Sequence, residues 1–322
     1  MKKYKTKIEL ISHLENDRHL FLEEDSKSIF DVYRYGQIID AYKDIVASSI
    51  LSGNIHIYND NVSLKTFINL LNMDEYFSIK LTIFISHYEK ILKKYISDKV
   101  CASMVMAGSI DCCDYSLFEK MKEDDFVSSL DCFIPLNAEY NYDAKETLRK
   151  ETTYNNRVRV IDKILGFVSG SNICELNYYV SDYYNEKQKI PFYILIGSLS
   201  FSNLIILFEM FDKEIQFEFL RTIVKKTHIE NKDLNSLMGK HNVIRIIRNI
   251  IHHHEPLIPF LCKKGFIDLD TKIASIKMLL NIYETESNIA KLKIDSAVDF
   301  EINNLFTSKK AKKLSRFINI LK

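Results

Sequence analysis

A chain of 322 residues can bury a sizeable core, and 44 Lys and Arg against 43 Asp and Glu leave a formal charge of +1 that excludes an overall basic coat for nucleic acid. Four prolines and eight glycines are too few for the many turns of a β-sandwich or barrel. Six cysteines (Cys101, Cys112, Cys113, Cys132, Cys174, Cys262) follow neither a secreted disulfide framework nor the paired CxxC halves of a zinc site.

Apolar residues recur at three- and four-residue spacing along most of the chain, which predicts an all-α fold. In chain order, 7–24 reads as an amphipathic helix and 26–50 as a second, with "SGNIHIYNDN" a loop after it. A short helix is expected over 63–72, beginning at Ser63, and a long one over 77–100. Residues 101–145 are less periodic and read as an insertion with short helices. "RKETTYNNRVRVIDK" (149–163) is a basic passage, read as a solvated loop with contact to a nucleic-acid backbone as the sharper alternative. Helices resume at 158–168, 173–186, 190–198, 203–212 and 214–226. A linker follows Pro256 and Pro259, then helices near 270–283 and 298–321, the last a basic amphipathic tail.

Two segments bear on location. "MKKYKTKIELISHLEND" lacks the continuous apolar run of a signal peptide, so a reduced, cytoplasmic setting is expected. Ile190 to Phe208 carries no charge and approaches the length of a membrane span. Pro191, Gly197, Ser198, Ser200, Ser202 and Asn203 interrupt it, and "GSLSFSN" reads as a break followed by the N-cap of a second helix. Two core helices meeting at a turn are expected, and no membrane.

Chemistry concentrates in "VIRIIRNIIHHHEP" (243–256). On a helical wheel His241, Arg245, Asn249, His252 and His253 fall within about 140° of Arg248 on one side. Val243, Ile244, Ile246, Ile247, Ile250 and Ile251 take the other half, with His254 among them, assigned to packing or a local hydrogen bond. Pro256 disfavours helical geometry at Glu255, so the helix should stop there. The helix dipole in the last turn favours the imidazolium, which suits a group that takes and returns a proton. Three readings compete: a solvated polar face, a metal site, and phosphodiester chemistry on RNA. HEXXH is absent and the histidines point in different directions, so no metal and no cofactor is expected. In the RNA reading a histidine activates the ribose 2′-hydroxyl, and an arginine a turn away holds the phosphate.

"RNIIHHHEPL" resembles the signature of AbiD/AbiF-type abortive-infection proteins in the HEPN superfamily of all-helical ribonucleases, an Arg-Asn pair followed after three residues by histidine. Here these are Arg248, Asn249 and His253, with His254 at a frequent second histidine. "RYGQIIDAYKDIV" (34–46), "HYEKILKKYI" (87–96) and "PFYILIGSLSFSNLIILF" (191–208) resemble further family elements in the expected order. Asp40 and Ala41 stand where Asn-Gly is usual, Ser202 replaces a glycine, and tryptophan is missing.

The resemblance implies a HEPN-type helical bundle with additional helices, here a domain over 1–260 and a C-terminal helical extension over 261–322. It also implies a homodimer with apposed motifs, metal-independent endoribonuclease activity and growth arrest during phage infection. AbiF-like members are associated with a small non-coding RNA. His253 is then expected as general base, Arg248 as phosphate clamp and Asn249 as an orienting group. His252, closer to Arg248 on a straight helix, is the contender, and His241 and Arg245 extend the strip to bind RNA backbone. The alternative from a different class is a catalytically silent protein that grips a regulatory RNA with the same strip. A helical protein–protein scaffold would do neither.

Overall fold

The computed structural model describes residues 5–47, 49–51, 55–59, 62–122, 132–139, 150–225, 228–262 and 267–286. Helices carry the fold. In chain order they are α1 (Lys7–Ser12), α2 (Ala41–Val46), α3 (Leu64–Met106), α4 (Ser116–Lys120), α5 (Lys150–Val168) and α6 (Tyr178–Lys187). They continue with α7 (Phe192–Leu195), α8 (Phe201–Glu209), α9 (Lys213–Val224), α10 (Asn231–His252), α11 (Leu257–Cys262) and α12 (Leu269–Glu286). The segment expected as a loop at 52–61 instead contributes to a small antiparallel hairpin of β1 (Ser49–Leu51) and β2 (Ile55–Ile57). The expected 298–321 helix lies outside the described residues. No described helix is long and apolar enough to cross a membrane.

Contacts group the described residues into two compact units, one running to Ile85 and resuming at Ile246, the other spanning Ser86 to Arg245. In the first, the expected helix over 7–24 is cut short. After α1, whose Thr6 and Glu9 form a capping box, the chain passes through a π-helical turn (His13–Asp17). It then extends to bridge Phe21 to Ser63. The expected helix over 26–50 breaks likewise into a 3₁₀ segment (Glu24–Asp31), a second π-helical turn (Gly36–Asp40) and α2. Conversely, two expected helices fuse into α3, because "LNMDEYFS" offers neither glycine nor proline to interrupt them. Glu23 meets the start of α3 with one carboxylate oxygen on the Ser63 hydroxyl at 2.6 Å.

Asp74 is the polar centre of this unit. It is 3% exposed among Leu70, Met73 and Phe77, yet accepts hydrogen bonds from the Tyr42 hydroxyl (2.7 Å) and the backbone N–H groups of Leu257 (2.9 Å) and Ile258 (3.0 Å). One carboxylate thereby joins α2 and α3 to the first turn of α11. That turn leaves few donors over: Leu257 and Ile258 are taken by Asp74, and Pro259 has no N–H. Burial pushes the Asp74 carboxyl up to about 6, although its three donors oppose that rise.

The second unit is built on aromatic rings. Phe208 meets Phe219 at 5.0 Å between centroids, Tyr95 meets Phe219 at 4.9 Å, and Phe133 stacks on Phe211 at 4.9 Å. A fully buried Phe or Leu contributes roughly 1.5–3 kcal/mol, so α8, which buries Phe201, Leu204, Ile205, Leu207 and Phe208, is a principal core element. Its start is as expected: Ser200 is the N-cap, accepting from the Asn203 N–H, and α7 with a short 3₁₀ turn precedes it. The uncharged stretch is therefore two short core helices. The basic passage at 149–163 differs from expectation, since from Lys150 on it is part of α5. Arg157 is 1% exposed there and donates to the carbonyls of Leu136 (2.9 Å) and Ala138 (2.7 Å). That guanidinium ties down a loop and does not face a solvent-borne phosphate.

Candidate functional site

The polar strip lies on α10, and its two ends have different surroundings. His241, in the second unit, is 0% exposed. Its Nε2 meets the Tyr88 hydroxyl, and its ring packs 5.8 Å from that of Tyr88 and 5.4 Å from that of Phe208. Burial, with Lys240 adding to it, pulls the imidazole pKa down to about 3. His241 is a neutral core residue, which corrects the expectation that it contacts RNA. The wheel separated polar from apolar residues, but a phenol elsewhere in sequence supplies the partner that lets an imidazole lie among aromatic rings. Arg245 remains half-exposed and donates from Nη2 to Asn242 Oδ1 at 2.8 Å.

From Ile246 on, α10 belongs to the first unit. Ile247 is buried, Arg248 and Asn249 are half-exposed, and His252, His253 and His254 are exposed. The helix closes at His252, just before Glu255, around which the stop was expected. Two bonds close it: Glu255 N–H to the Ile250 carbonyl (2.9 Å) and His254 N–H to the Ile251 carbonyl (3.1 Å). This is the Schellman pattern, which requires a left-handed residue where the two bonds cross. His254 occupies that position with φ 54°. Of the two roles expected for His254, packing or a local hydrogen bond, packing is corrected: its backbone N–H makes a local bond to Ile251, it turns the chain, and its side chain stands in solvent.

The closing geometry bears on the choice of imidazole. His253 N–H still bonds the Asn249 carbonyl four residues back at 3.0 Å, so the helical path does not tighten before His253. One turn on from Arg248 is therefore His252, and one turn on from Asn249 is His253. The two imidazoles sit edge to face, 5.8 Å between centroids and 73° between planes. Arg248 has no ion-pair partner among the described residues, which leaves its guanidinium available to an anion.

Asp74 braces this turn from the far side. Past Glu255 and Pro256 the chain is held by its bonds to Leu257 and Ile258, so the histidines lie between two fixed points. Sequence reasoning missed Asp74 as a positioning residue. The available signal was an acid inside the apolar run "LLNMDEYF", where a solvated carboxylate would be out of register.

Such a turn offers two exposed imidazoles able to take or give a proton, with a guanidinium and an amide one turn back. Among the described residues no group of three or more His, Cys, Asp or Glu side chains is placed to hold a metal ion. Compared with family models, residues 29–259 match the family described as Abi-like protein, well over half of the chain. Comparisons with curated proteins and with solved structures returned no match.

Proposed function

The chain belongs to the Abi-like protein family of abortive-infection proteins, and from that premise we propose that it serves phage defence as a metal-independent endoribonuclease of HEPN type, acting as a homodimer. The observation that carries this reading is the exposed, braced imidazole pair on the closing turn of α10, one turn beyond an arginine with no carboxylate partner among the described residues. RNA contains the nucleophile such a site needs. An imidazole takes the proton of a ribose 2′-hydroxyl, and the oxygen attacks the adjacent phosphorus. The 5′-oxygen then departs with a proton returned by an imidazolium. Arg248 holds the phosphate in a two-pronged grip and offsets the charge that builds on it. Products would carry 2′,3′-cyclic phosphate and 5′-hydroxyl ends.

His253 is the base in this proposal, and Asn249, one turn before it, orients it or the substrate. Because His252 and not His253 shares the face of Arg248, the arginine serving His253 comes from a second copy of the chain. His252, working with Arg248 of its own chain, is the competing assignment. Arg245 extends the grip along the RNA backbone.

The test is cleavage of RNA in the presence of a chelator, together with growth arrest on expression, for Arg248→Ala, His252→Ala and His253→Ala. Loss in Arg248→Ala and His253→Ala is expected, with partial recovery when the two inactive chains are mixed. Loss in His252→Ala with no recovery on mixing would move the base to His252. Full cleavage by Arg248→Ala would remove that arginine from the site, and RNA that is bound with steep salt dependence yet never cut would replace the nuclease by a silent RNA-binding protein.

A further inference from the structure

A second feature of the first unit takes no part in that chemistry. A cavity of about 620 Å³ opens among residues from Lys5 to Tyr58, within the range, about 300–1,000 Å³, typical of small-molecule sites. Its lining is cationic and aromatic. Two of its positive groups are already matched, Lys7 by Asp31 and Lys43 by Asp40, each at 2.6 Å. Arg18, Arg34 and Lys5 have no ion-pair partner among the described residues. The Asp17 carboxylate feels the charges of Lys5 and Arg18 without an ion pair to either, so the lining keeps a positive excess that an entering anion would offset.

The aromatic part is equally incomplete. Tyr33 spends its hydroxyl on Glu75 at 2.7 Å. The hydroxyls of Tyr35 and Tyr58 have no hydrogen-bond partner among the described residues, although both rings are half-buried. The Tyr58 ring is fixed edge-on to Phe67 at 5.8 Å. Burial pushes the Tyr58 phenol up to about 12 and raises that of Tyr35, while the nearby Arg18 charge opposes both shifts. A guanidinium and two phenol hydroxyls with no protein partner among the described residues therefore share one small volume.

The backbone singles out the same place. Both π-helical turns among the described residues, His13–Asp17 and Gly36–Asp40, contribute to the lining. Such turns give up regular hydrogen bonding and concentrate at functional sites.

We infer that this cavity binds a nucleotide, its phosphate held by Arg18 and Arg34 and its base seated against the rings of Tyr35 and Tyr58. Guanidiniums match phosphate oxygens in a bidentate geometry, and a tyrosine ring accepts any base on its flat face. Phosphate alone would leave the phenols unused, and an apolar ligand would leave the guanidiniums unmatched. Free nucleotides and the 5′-phosphorylated end of an RNA share this chemistry. The inference stands apart from the nuclease reading, since none of its residues lies on α10.

Calorimetric titration of the full chain tests it. The probes are the four ribonucleoside monophosphates, ATP, inorganic phosphate, and one ribo-oligonucleotide in 5′-phosphorylated and 5′-hydroxyl forms. Saturable binding of a nucleotide, weakened tenfold or more in Arg18→Ala and Arg34→Ala and unchanged in His253→Ala, is the expected result. Binding only of the 5′-phosphorylated oligonucleotide would assign the site to an RNA end. Should Arg18→Ala fail to fold, Arg18→Lys and Tyr35→Leu, which removes the ring the base would stack on, carry the test, each expected to weaken binding severalfold with the fold kept. Equal affinity for inorganic phosphate and nucleotides, binding indifferent to Arg18 and Arg34, or no binding of any probe would each overturn the inference.

Discussion

His241 and His252 lie on the same helix and on the same side of its wheel, yet one is sealed among Tyr88 and Phe208 and the other stands in solvent. The difference shows that helical periodicity locates polar residues around a helix axis but not along it. What a polar residue becomes depends on what packs at its level. At His241 that is the phenol of Tyr88 and the ring of Phe208. At His252 the helix is ending, and nothing among the described residues covers the imidazole.

The sharpest way to break this comparison is to remove each histidine in turn and separate activity from stability. In the nuclease reading, His253→Ala, or His252→Ala if that is the base, lowers cleavage by roughly 10²–10⁴-fold, the usual contribution of a general base. Melting should stay where it is, because an exposed side chain on a helix end has little to lose. His241→Ala should do the reverse. It empties a buried site and strands the Tyr88 hydroxyl, costing about 2–4 kcal/mol in urea unfolding while cleavage per folded molecule is kept. Equal loss of activity and no loss of stability in His241→Ala would place that residue back at the site.

Asp74 gives a comparable but pH-dependent effect. Its carboxyl is raised from 3.8 to about 6 in the folded protein, so the native state holds the proton more tightly than the unfolded chain. The contribution to stability is present at low pH and is lost as pH rises from about 4 through 6. It amounts to roughly 3 kcal/mol on the usual conversion of about 1.4 kcal/mol per pH unit. Denaturant unfolding of the native protein against Asp74→Asn should show this slope in the former and not in the latter. Asp74→Ala, which leaves the N–H groups of Leu257 and Ile258 without their acceptor, should destabilise at every pH by about 2–3 kcal/mol. A flat profile in the native protein would mean that the donors cancel the effect of burial, and a slope of opposite sign that they outweigh it.

The smallest expected effect is at His254. Glycine adopts its left-handed conformation without steric cost, so His254→Gly should be neutral or stabilise by up to about 1 kcal/mol. A β-branched residue there should destabilise by about 1–2 kcal/mol. If His254→Gly instead abolished cleavage with melting unchanged, the third imidazole would be part of the chemistry.

Much of the helical class was legible, because spacing over long segments such as α3 and α10 is a local property. The break at Gly197–Ser200 was legible too, since a serine cap announces itself. Element boundaries in the first sixty residues were not. "SKSIFDVYRYGQIIDAY" has helical spacing, but the structure divides it between 3₁₀, π-helical and α-helical turns. Arg157 and His241 looked alike in sequence to solvent-facing polar residues, because their partners, the carbonyls of Leu136 and Ala138 and the hydroxyl of Tyr88, come from other parts of the chain. At the candidate site, the identity of Arg248, Asn249, His252 and His253 was legible from "RNIIHHHEP". The left-handed turn at His254 and the brace from Asp74 were not, as both depend on tertiary closure.

That closure separates the mobility of the side chains from that of the backbone beneath them. The amide hydrogens of His253, His254, Glu255, Leu257 and Ile258 are all engaged, two of them by a buried carboxylate. In deuterated water they should exchange slowly, giving a protected island beneath imidazoles that water reaches freely. Proton transfer could then proceed at such a surface while the scaffold that aims it stays still.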